Sequence, residues 1–152
     1  LESWLSEYQE SHSNPINQVI HKVCVPLILF STLGLFSLIP TPDFFVGFNF
    51  AHFLALGGLV FYFRVSRRYF VWMFTIVCFN LWLVTVFTQM GIIAGLSTGI
   101  FIISWIGQVY GHKVEGKKPS FLKDLAFLFV GPLWVLKSFL ILIGLDETSQ
   151  EA

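Results

Sequence analysis

NPINQVIHKVCVPLILFSTLGLFSLIPTPD, residues 14–43, passes from a polar start into a long apolar run and stops at two prolines and an aspartate. Asn14-Pro15 is a helix-start signal, because the asparagine side chain takes up orphan N–H groups while a first-turn proline needs no partner for its own nitrogen. One helix is therefore expected to run continuously over residues 16–39, with a first membrane span at about 23–39. Pro40-Thr41-Pro42-Asp43 closes it.

The same character fills most of the chain. Of its 152 residues 55% are hydrophobic and only 12% charged, against about 25% charged in a soluble domain. The mean hydropathy is +0.75. A membrane protein is expected: an all-α integral membrane helical bundle of four to five spans, each near the length needed for a hydrocarbon core of about 30 Å. After the first, spans are read at about 44–63, 69–89 and 92–110, and a last apolar stretch at 125–145 is expected to break or kink at Gly131-Pro132. Gly95, Gly99 and Ser104 offer a small-residue face for close packing. There is no internal repeat or linker, so residues 1–152 read as a single membrane domain.

Upstream, residues 1–15 are expected to form a short amphipathic helix at the membrane surface, with Trp4, Leu5, Tyr8 and His12 on one face. A signal peptide fits poorly, since about 22 polar and acidic residues precede the first run and no small-residue cleavage site follows. That run is expected in the mature protein. Cys24 and Cys78 form no C-x-x-C pair and read as core-filling residues rather than a disulfide or zinc site. A net charge of zero argues against nucleic acid as a partner.

Alternating the spans sorts the basic residues. Lys22, Arg64, Arg67, Arg68, Lys113, Lys117, Lys118 and Lys123 all fall on one face, and only Lys137 lies within a span. By the positive-inside rule that face is cytoplasmic, whether the membrane is a bacterial inner membrane or the endoplasmic reticulum. The same alternation, made without using histidine, carries His12, His21 and His112 to that face. His52, deep in the second span, reads as a buried, hydrogen-bonded histidine packed between helices ahead of the alternative, a fourth ligand lining a polar cavity.

Three histidines at one place suggest a shared metal. Each has polar company at helical spacing: Tyr8 with His12, Asn17 with His21, Gln108 and Glu115 with His112. Imidazoles that bind metals use such neighbours to hold the second ring nitrogen. Nitrogen and carboxylate donors without thiolate suit non-haem iron, zinc or manganese. A zinc-dependent lipid hydrolase, or a transporter or scaffold with the histidines as interfacial anchors, stands beside an iron oxygenase at this point, and haem held by two histidines is weaker.

The pattern Tyr8-x3-His12-x4-Asn17-x3-His21-x4-Pro26, followed by Gln108-x2-Gly111-His112-x2-Glu115-x3-Pro119 and then Gly131-Pro132, resembles the small multi-pass family of yeast-type 2-hydroxy fatty acid dioxygenases. The resemblance covers nearly the whole chain and implies alpha-oxidation with Fe(2+): O2 cleaves a 2-hydroxy fatty acid between carbons 1 and 2, giving the acid one carbon shorter. It implies His12, His21 and His112 as iron ligands and Glu115 as an extra ligand or an orienting neighbour. Lys22 and Lys113 are then the candidates to hold the substrate carboxylate, with the alkyl tail among the phenylalanine-rich spans.

Overall fold

The computed structural model describes residues 2–10, 12–42, 47–116 and 121–146. They form six helices and no strand: α1 (Glu2–Glu10), α2 (Pro15–Ser37), α3 (Phe50–Val65), α4 (Arg67–Gln89), α5 (Ile93–Glu115) and α6 (Phe121–Leu142). Residues 43–46 and 117–120, on which parts of the expected second span and of the loop after the fourth fall, lie outside the described residues, as do Leu1 and Ser11.

The expected helix start at Asn14-Pro15 is where α2 begins: the Asn14 side chain accepts from the N–H groups of Ile16 (2.9 Å) and Asn17 (3.4 Å). Elsewhere caps move the expected boundaries. α3 starts at Phe50 rather than 44, because Asn49 and His52 form a reciprocal capping box. This also corrects His52, which is half-buried in the first turn with its Nδ1 on the Asn49 backbone N–H (3.2 Å), not packed between helices. Residues 64–68, left between the expected second and third spans, are not a loop, since Ser66 alone separates α3 from α4 and caps both. α5 runs beyond Tyr110 to Glu115 and ends at Gly116, whose φ of 73° lies in the left-handed region that glycine adopts freely. His112 and Glu115 therefore stand on a helix.

α6 is continuous through Gly131-Pro132, so of the expected break or kink the break does not occur. Pro132 forgoes one backbone bond, and burial of Val130, Leu133, Trp134, Leu136 and Leu140 holds the helix together across it.

α2, α4 and α5 are each 23 residues and apolar enough to cross a membrane, roughly 34 Å long at 1.5 Å per residue. Their outward faces carry large apolar side chains such as Val71, Phe79, Trp82, Ile103 and Ile106. That is compatible with a membrane protein. Cys78 lies on such an outward face rather than in the core, whereas Cys24 packs inward against Gly107.

α2 and α5 pack antiparallel and close. A Cβ on Gly34 would stand 2.0 Å from Ser97 Oγ, one on Gly107 2.8 Å from Cys24 Sγ, and one on Gly111 2.3 Å from Asn17 Oδ1. The expected small-residue face is thus displaced in its glycines: Gly95 and Gly99 face open space, and Ser97, Gly107 and Gly111 carry the contact, while Ser104 is buried as well. The consequence is positional. With Asn17 against Gly111 and Cys24 against Gly107, His21 lies level with the last two turns of α5.

Two apolar cores result. One joins Leu5 and Tyr8 of α1 to Tyr62, Tyr69 and Met73 and to α6, and the other joins Phe30, Leu33, Ala51, Ala55, Val77, Val84 and Ile93. Leu5 and Tyr8, two residues of the apolar face read in α1, are turned into protein, while Trp4 is largely exposed and stacks on Phe61.

Candidate metal centre

α1 delivers Tyr8 and stops at Glu10; His12 follows, and its N–H bonds the Gln9 carbonyl at 2.9 Å. After Asn14 the chain turns into α2, which presents His21 at its second turn, and α5 returns antiparallel with His112 in its last turn. The three imidazoles meet. Their ring centroids are 4.2 Å (His12–His21), 5.0 Å (His21–His112) and 5.6 Å (His12–His112) apart, closer than a porphyrin between two axial rings would allow. One nitrogen from each lies within 4.8 Å of the others. His12 and His21 are 3% and 2% exposed.

The donor chemistry of this group fits a metal ion. His12 Nδ1 lies 2.6 Å from the Tyr8 carbonyl oxygen and His21 Nδ1 3.0 Å from that of Asn17. A carbonyl only accepts, so each Nδ1 carries the proton and donates it, which leaves each Nε2 with its lone pair as the metal-binding atom. The three histidines can therefore hold a metal.

The neighbours expected from spacing are arranged differently from one another. Tyr8 and Asn17 meet the histidines through backbone carbonyls, and the Tyr8 ring also stacks on His12 with centroids 4.1 Å apart. The Asn17 side chain donates instead to Glu115 Oε2 (3.0 Å). Glu115 lies outside the three-histidine group, and its carboxylate accepts from Ser13 Oγ (2.6 Å), Ser13 N–H (2.9 Å) and Asn14 N–H (3.0 Å) as well. It thereby fastens the turn between the first two histidines to the helix bearing the third. Gln108 Nε2 is buried without a hydrogen-bond partner among the described residues. Lys22 and Lys113 are both exposed, with Lys22 Nζ 5.4 Å over the Trp134 ring.

From the histidines an apolar cavity of about 330 Å³ extends between the two cores. α2 lines it with Val25, Leu29, Thr32 and Phe36, α5 with Trp105, Gln108 and Val109, and neither Lys22 nor Lys113 takes part. Spacing alone missed Trp134, whose indole N–H donates to Gln9 Oε1 (2.7 Å) and whose ring packs near Tyr8 and His12. It also missed Gly131, where a Cβ would come 3.2 Å from the Tyr8 hydroxyl. The signal available was that Gly131 and Trp134, three positions apart, share one helical face.

Fold and site together define a helical protein, compatible with a membrane, with a three-histidine cluster that can hold a metal at the end of an apolar cavity. The chain belongs to the family described as 2-hydroxy-palmitic acid dioxygenase Mpo1-like, whose model matches residues 1–142. That name gives the family a 2-hydroxy fatty acid dioxygenase-like role. No curated protein and no solved structure matches the chain.

Proposed function

We propose that this protein is a membrane-embedded, Fe(II)-dependent dioxygenase that shortens 2-hydroxy fatty acids by one carbon, in fatty acid or sphingoid base catabolism, with its site at the cytoplasmic face. The observation that carries this reading is the meeting of a three-histidine cluster, two of its members buried and His112 half-buried, with an apolar cavity. His12, His21 and His112 hold the iron. When bound, the iron supplies a centre at which the hydroxy acid and O2 are brought together; O2 takes four electrons from the substrate, and carbon 1 leaves as carbon dioxide with one water.

The chain's own residues do the rest. The Tyr8 and Asn17 carbonyls fix the imidazole orientations, and Glu115 holds the Ser13–Asn14 turn so that His12 and His21 face one point. Val25, Leu29, Leu33 and Phe36 take the alkyl tail out of competing environments, each buried methylene contributing about 0.8 kcal/mol relative to water. The enclosing apolar walls keep water from the reacting carbon.

Metal analysis of protein purified without chelator, with oxygen uptake and product chain length on 2-hydroxy fatty acids, tests the proposal. Iron at one per chain and an acid one carbon shorter are expected, and alanine at His12, His21 or His112 singly should remove most of the metal while helicity persists. Stoichiometric zinc with no oxygen uptake on any 2-hydroxy acid would instead indicate a hydrolase. Three small, independent stability losses without metal loss would indicate interfacial anchors in a transporter or scaffold.

A further inference from the structure

Gln108 is 6% exposed, lines the cavity beside the three histidines, and stands one helical turn before His112. Its Nε2 is buried with no hydrogen-bond partner among the described residues. A buried amide N–H left unpaired costs about 1–3 kcal/mol, and folded proteins keep few such groups unless something completes them. Gln108 lines the cavity, so a group held there can complete the amide, and that group has to be an acceptor.

His12 and His21 cannot serve a carboxylate as donors, because they spend their Nδ1 protons on backbone carbonyls. Lys22 and Lys113 are exposed and outside the cavity lining. A fatty acid whose tail lies along Leu29, Thr32 and Phe36 brings its head group to the histidine end, where a carboxylate offers about four lone-pair sites for donors.

We propose that Gln108 is a substrate-binding residue of this cavity, whose side-chain N–H donates to a carboxylate oxygen of the long-chain 2-hydroxy acid. The assignment rests on the reading of the site given above. It replaces a cationic anchor by a neutral one, and it assigns to Gln108 a role toward the ligand rather than toward His112. It also implies a trade between stability and binding: the amide is a liability in the empty cavity and becomes satisfied only when an acyl acid arrives.

The test uses the purified protein with its own metal in lipid nanodiscs, and reads the Kd of 2-hydroxyhexadecanoic acid by displacement of a fluorescent fatty acid. Metal content and melting temperature are measured on the same samples. Gln108→Leu and Gln108→Met both keep the volume and drop the donor. Each is expected to weaken binding roughly ten- to a hundredfold, to keep the metal, and to melt no lower than the parent. If the parent binds and both variants bind equally well, Gln108 has no such role, while the reading of the site stands. If both variants lose the metal, Gln108 acts through His112 and the assignment fails. Failure of the parent to bind any long-chain acid would overturn the reading of the site and this assignment with it.

Discussion

Glu115 concentrates the logic of the site in one side chain. Its two oxygens gather donors from Ser13, Asn14 and Asn17, about a hundred positions away in the chain, and those three residues lie between His12 and His21. Hydrogen bonds to a charged acceptor contribute about 1.5–3 kcal/mol each when the partner would otherwise be unmet, and less here because water reaches part of the turn. Glu115→Ala is thus expected to loosen the turn and lose most of the bound metal, with a stability loss of about 1–3 kcal/mol. Glu115→Gln keeps one carbonyl acceptor and should retain a substantial part of the metal, read by metal analysis beside thermal unfolding. Metal loss in Glu115→Gln as complete as in His112→Ala would make the carboxylate a ligand after all. At this scale the three histidines were legible because spacing and span alternation both pointed to them. That Gln108 enters the cavity lining while Lys22 and Lys113 stay outside it was not legible, since the side a helical residue faces depends on the register between helices. That register is set here by the contacts of Gly107 with Cys24 and of Gly111 with Asn17.

Helix ends were legible where the signal was chemical and local, as at Asn14-Pro15, and misplaced where apolar content was the guide. Asn49 and Ser66 sit in sequence that reads as span or loop, yet Asn49 moves the start of α3 from 44 to 50, and Ser66 moves the end of α3 from 63 to 65 and the start of α4 from 69 to 67. α6 shows what composition cannot decide. Its middle meets the histidine end through Trp134 against His12, and residues after its end meet the α3–α4 junction, where Arg68 pairs with Asp146 at 3.4 Å and the Tyr69 hydroxyl donates to Asp146. Tyr8, Tyr62 and Tyr69 share one core, so both places belong to the same end of the molecule. The helix is therefore expected to lie across that end with Phe139 and Leu142 outward, and Lys137 need not enter the hydrocarbon. Single cysteines at Glu7 and Leu145, in a chain whose Cys24 and Cys78 are alanine, should react with an impermeant maleimide from the same side of sealed vesicles. Labelling from opposite sides would show that α6 crosses.

For the whole molecule, the pairing of α2 with α5 does two things at once: it closes the histidine group and leaves a cavity between the upper and lower cores. Along α2 the lining residues recur at helical spacing from His21 through Val25, Leu29 and Thr32 to Phe36. His21 to Phe36 is about 22 Å at 1.5 Å per residue. An extended alkyl chain advances about 1.3 Å per carbon, given C–C bonds of about 1.5 Å, so that length matches about sixteen to seventeen carbons. Thr32 stands about 16 Å along the same line, or about twelve carbons. A bulky ring there should cut the usable length without touching the histidines, and Thr32 is half-buried, so the helix can carry the change. Thr32→Phe is expected to keep its metal and its turnover of acids up to about twelve carbons, and to lose at least tenfold in kcat/KM on acids of about sixteen, roughly 1.4 kcal/mol of transition-state binding. The profile of kcat/KM against chain length for parent and variant checks this. An unchanged profile would mean that the tail leaves the histidines by another route, past Trp105 and Val109, whose exposed side chains line the cavity on α5 and face the hydrocarbon if α5 spans the membrane.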